Sequence, residues 1–138
     1  GSQGKLYELF AQDVAAFIEA NSSDEALRPY LEPLAASLER LSDVTEHVVN
    51  QAANNPEAIG AAAVDYLDMF GYTALAYMWA KVVKAAAPKA EGDTSGFYTG
   101  KVKTARFYFD RLLPKTVSLA EGIRSGSDAM MAPAANEI

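Results

Sequence analysis

Cysteine is absent from this 138-residue sequence, and histidine and tryptophan occur once each. Without cysteine there are no disulfides, no thiolate metal sites and no thiol nucleophile, a composition that fits a cytoplasmic protein. No apolar run approaches the ~20 residues needed to cross a membrane as a helix. Basic residues are outnumbered, twelve Lys and Arg against eighteen Asp and Glu, so the chain lacks the basic footprint that nucleic acid requires. Strand-like alternation is missing too. There is no G-x-G-x-x-G and no Walker loop, and Gly92-Asp93-Thr94-Ser95-Gly96 is a turn with no strand before it. The opening residues lack signal-peptide architecture, and Gly1-Ser2 reads as a cloning remnant within a linker spanning 1–4.

What is present suits one helical domain. Half the residues are apolar, enough for a real core in a chain of this length. Leu6, Leu9, Phe10, Val14, Phe17 and Ile18 fall on one side of a first helix, about Lys5 to Ala20. Asn21-Ser22-Ser23 offers capping side chains, with Ser22 and Glu25 placed for a capping box. Arg28-Pro29-Tyr30 reads as irregular, with Pro33 in the first turn of a second helix. That helix carries Leu31, Leu34, Leu38, Leu41, Thr45, Val48 and Ala52 at alternating spacings of three and four, the signature of a bundle seam. Asn55 and Pro56 fit the cap and first position of a third helix, which ends before Pro88.

The third helix has two apolar faces. One holds Ile59, Ala63, Tyr66, Phe70, Thr73 and Tyr77; the other holds Val64, Leu67, Gly71, Leu75, Met78 and Val82. A narrow strip with Asp65, Asp68 and Tyr72 remains, so burial on two sides is expected. After a Gly/Pro/Asp/Ser-rich loop, Thr94 or Ser95 can cap a fourth helix from Phe97 to about Arg124. Its stripe runs from Tyr98 through Val102, Ala105, Phe109 and Leu112 to Ile123, and Pro114 should kink it. Ser125-Gly126-Ser127 should close it. The expected architecture is all-α, an up-down-up-down antiparallel four-helix bundle over 5–125 with long third and fourth helices, followed by a flexible tail, 126–138.

Candidate chemistry is thin. His47 lies opposite the leucine seam with Asp43 and Glu39 one and two turns before it, an outward set rather than the inward Glu and Glu-x-x-His pairs of a bundle metal site. Asp65 and Asp68 are neighbours on one strip, not carboxyls facing across a cleft. A single outward His leaves no triad. No catalytic, metal or cofactor-binding residue is therefore expected in this segment. Six of the twelve basic residues lie in the fourth helix, matching the acidic outer side of the second. Phe107 points away from its helix's buried stripe, Tyr108 flanks that stripe, and Tyr72 and Trp79 fall on the polar strip of the third helix. Together with Arg106 these residues suggest an interface with another domain or subunit.

The run F-Y-T-G-K-V-K-T-A-R-F-Y-F-D-R-L-L-P, Phe97 to Pro114, resembles the C-terminal extension of large bacterial acyl-CoA dehydrogenases, nearest the methylthiopropanoyl-CoA dehydrogenase branch. Tyr66 to Lys81 is similar to the preceding helix of that extension, and Ser125 to Met131 to its ending. The resemblance implies a parent oxidoreductase of fatty acid metabolism that binds FAD, desaturates an acyl-CoA and passes electrons to an electron-transfer flavoprotein. The family's catalytic Glu and flavin contacts lie in upstream domains, and no position here matches them. An accessory domain packing on those catalytic domains or on a second subunit is the expected role. A free-standing dimerisation module is the alternative, and a small-ligand carrier a weaker third.

Overall fold

The computed structural model describes residues 2–56 and 59–129, with side chains placed for 4–56, 60 and 62–125. Among the described residues all regular structure is helical: α1 Ser2–Ala20, α2 Arg28–Asn54, α3 Ile59–Ala90, α4 Phe97–Phe107 and α5 Lys115–Ala129. A π-helical turn, Tyr108–Leu112, joins α4 to α5, so they form one interrupted fourth rod. Gly1, the side chain of Ile59 and tail residues 130–138 lie outside the described residues.

Proline shapes each rod differently. Pro29 stands in the first turn of α2, where no intrahelical amide bond is due, so the helix begins at Arg28 rather than near Pro33. Pro33 lies inside α2, held there by burial of Tyr30, Leu31 and Leu34 around it. Pro88 does not stop α3, which continues to Ala90. One amide bond is lost near the helix end, where the backbone is open to solvent. Pro114 has the larger effect. Its ring cannot sit over the Asp110 carbonyl, and the chain answers with a wider turn in which the Leu113 amide donates to the Tyr108 carbonyl at 3.0 Å. A break replaces the expected kink. Ser125-Gly126-Ser127 does not end α5, because Gly and Ser weaken a helix by up to ~1 kcal/mol each without removing a donor.

The caps also differ from expectation. The Asn21 amide donates to the Phe17 carbonyl at 2.8 Å and finishes α1, while Asp24, rather than Ser22, receives the Ala26 amide at 3.0 Å. Asn55 belongs to the end of α2, its amide donating to the Gln51 carbonyl at 2.7 Å. Before α4 the chain turns through positive φ at Gly92 and Gly96, a conformation that side chains resist. Asp93 then accepts from the Tyr98 amide at 2.9 Å and from Ser95, whose hydroxyl in turn accepts from the Phe97 amide. Ser95 thus contributes as expected, Thr94 does not, and Asp93 is the main cap.

α3 is the central rod, contacting α2, α4 and α5. One buried cluster joins Val14, Leu27, Leu34, Ala80, Val83 and Phe109; a second joins Leu41, Val44, Met69, Ala120 and Ile123. Polar pairs bridge α2 to α3. The Ser37 and Thr73 hydroxyls lie 2.7 Å apart and fully buried, and Thr73 gives its proton to the Met69 carbonyl, so Ser37 donates. Thr45 donates to the Leu41 carbonyl at 2.6 Å, and its hydroxyl also reaches the Tyr66 hydroxyl, which accepts at 2.9 Å. Burial outweighs that contact and pushes the Tyr66 phenol up.

Candidate docking surface

At about 100° per residue, the residues of α3 nearest the core are Met69, Thr73, Ala76, Ala80 and Val83, all buried. The flank with Phe70 and Tyr77 meets α1, where Phe10 lies 4.8 Å from Phe70 and Phe17 5.4 Å from Tyr77 between ring centroids. Asp13 accepts from the Tyr77 hydroxyl at 3.0 Å. The opposite flank, with Tyr72 and Trp79, is covered by the fourth rod. The direction expected to be a polar strip is therefore a packing surface.

The second apolar face was expected to be buried and is not. Val64 is 60% exposed, Leu67 64%, Leu75 44% and Met78 46%, with exposed Gly71 in their middle. They point away from the core side because α1 and the fourth rod occupy both flanks, and nothing among the described residues spans the gap between them. These residues were legible as apolar in the sequence, but a two-sided helix does not reveal which side its own bundle will leave bare. Leu6 and Leu9 of α1 are exposed as well. The core side of α1 is instead completed by Tyr7 with Phe10 and Val14.

The sequence-derived interface residues divide. Phe107 is 59% exposed and stands apart from the core. Arg106 is on the surface, paired with Asp110 of its own rod at 3.2 Å. Tyr72 and Trp79 are half-buried against the core. Tyr108 is a correction: it is 4% exposed and its hydroxyl donates to the Tyr72 carbonyl, so it belongs to the domain's own interior. Burial, and then the neighbouring Tyr72, hold its phenol well above the ordinary tyrosine range.

Few groups here could do chemistry. His47 is half-buried rather than fully outward, and its Nε2 has no hydrogen-bond partner among the described residues. No group of three or more His, Asp or Glu side chains converges among the described residues. Asp68 is exposed, whereas Asp65 is half-buried towards Gly122 of α5. Arg124 pairs with Asp43 at 3.6 Å and the Arg40 guanidinium donates to Thr116 at 3.3 Å, joining α2 to α5. A notch beside the π-helical turn, lined by Pro33, Arg40, Phe109, Leu113, Pro114 and Val117, holds only about 110 Å³. Pockets for small ligands and cofactors run to several hundred. At the start of α4 the Phe97 and Tyr98 amides are taken by Ser95 and Asp93. Neither this notch nor the start of α4 is shaped to hold a flavin.

The family described as acetyl-CoA dehydrogenase C-terminal like matches residues 10–133. The chain belongs to that family. The match includes all of α2, α3 and α4, the π-helical turn and α5, and hence the whole bare face. No curated protein matches the chain, and no solved structure does. No helix among the described residues is long and apolar enough to cross a membrane.

Proposed function

We propose that this member of the family is an accessory helical domain of an FAD-dependent acyl-CoA dehydrogenase, of the methylthiopropanoyl-CoA branch in its nearest likeness. It has no catalytic activity of its own and packs on the catalytic body or on a second subunit. FAD binding, acyl-CoA oxidation and electron delivery to an electron-transfer flavoprotein belong to that body. The domain's contribution is bracing.

The observation that carries this reading is the bare face of α3, a central helix that presents large apolar side chains to solvent. Family membership supplies the body to be braced. The four rods run alternately up and down in this reading. Contacts 37 to 73 and 45 to 66 run in opposite senses along α2 and α3, while 10 to 70 and 17 to 77 run in the same sense along α1 and α3. Such a layout leaves one side of the third rod free for a partner.

The test has two arms. The purified chain should show no flavin absorbance and no acyl-CoA-dependent reduction of an electron-accepting dye; turnover above buffer sinks the reading. In a dehydrogenase carrying this domain, Leu67→Glu with Leu75→Glu should loosen domain or subunit association while the chain stays helical. Unchanged assembly and thermal stability would count against it.

A further inference from the structure

We draw no further inference here: the strongest candidate, the bare apolar face of α3 from Val64 to Met78, is already the site of the proposed docking, and nothing in the structure shows what covers it.

Discussion

The two sides of α3 invert the usual distribution of side-chain size. Its core side is mostly small or modest, with Thr73, Ala76, Ala80, Val83 and Ala86 around a single Met69, whereas the solvent side holds Leu67, Leu75 and Met78. Small residues on the core side let α2 and the interrupted fourth rod approach closely, and aromatic rings from α1 and the π-helical turn fill what remains. Large apolar residues on the other side do nothing for the isolated fold. Apolarity alone thus does not mark a core, and the difference between the sides is a difference in what each stabilises: the fold on one side, an assembly on the other.

That division would break if the two sides responded alike to truncation. Met69→Ala and Leu34→Ala, both fully buried, should each cost about 2–5 kcal/mol in urea unfolding, since each leaves a cavity that packed neighbours only partly close. Leu67→Ala, measured dilute enough for the chain to be monomeric, should stay within ~0.5 kcal/mol of wild type. A loss at Leu67 equal to that at Met69 would mean that the outer face is part of this chain's own core.

The buried hydroxyl pair sharpens the same contrast from its polar side. Thr73→Val removes the acceptor for Ser37 inside the core and should cost about 1–3 kcal/mol. Adding Ser37→Ala should recover part of that loss, because no polar atom is then left without a partner. A double variant as unstable as the sum of its singles would show that the two hydroxyls do not act as a pair.

On the outer side the sign reverses. Gly71→Ala should stabilise the dilute chain by about 0.5–1 kcal/mol, since the helix gains propensity and the added methyl meets nothing. In an assembly formed through the bare face the same methyl lies inside the contact, so association should change. Melting followed against protein concentration separates the two effects; a destabilised dilute chain would show hidden crowding at this position.

How far the sequence alone reaches follows from which interactions are local. The all-helical class, the turns near 21–27 and 91–96, and the seam of α2 are set by near neighbours, and they are legible. Pro33 was read as opening α2 and Pro88 as ending α3, whereas packing at Leu31 and Leu34 and an exposed helix end absorb what those prolines remove and let both helices run past them. The π-helical turn was invisible, since a kink and a wider turn answer the same proline equally well. Tyr72 and Trp79 were placed outward because the strip between the two apolar faces was read as solvent-facing, and Tyr108 was set at the flank of its own stripe; only the path of the fourth rod shows otherwise. Phe107 is exposed, as its angle along the helix alone indicates. The bare face was legible as surplus apolar surface, though not which of the two faces it would be.

The smallest effect concerns the start of α4, the helix that leads into the covered flank. Asp93 accepts from Ser95 and from the Tyr98 amide, and these bonds hold its carboxyl below its ordinary value of 3.8. A carboxyl whose folded pKa is depressed contributes stability that is present above the unfolded value and is lost as pH falls through the folded one. Asp93→Asn should therefore lower the melting temperature slightly at neutral pH, and the gap to wild type should close as pH falls below 3.8. The carboxylate is at the surface, so salt should shrink the gap as well. Were the cap to anchor α4 over Tyr72 and Trp79, hydrogen exchange in Asp93→Asn would quicken at the start of α4 and leave the amides around Gly71 unchanged. A gap that persists at low pH would mean that the charge of Asp93 is immaterial and that only the turn geometry counts.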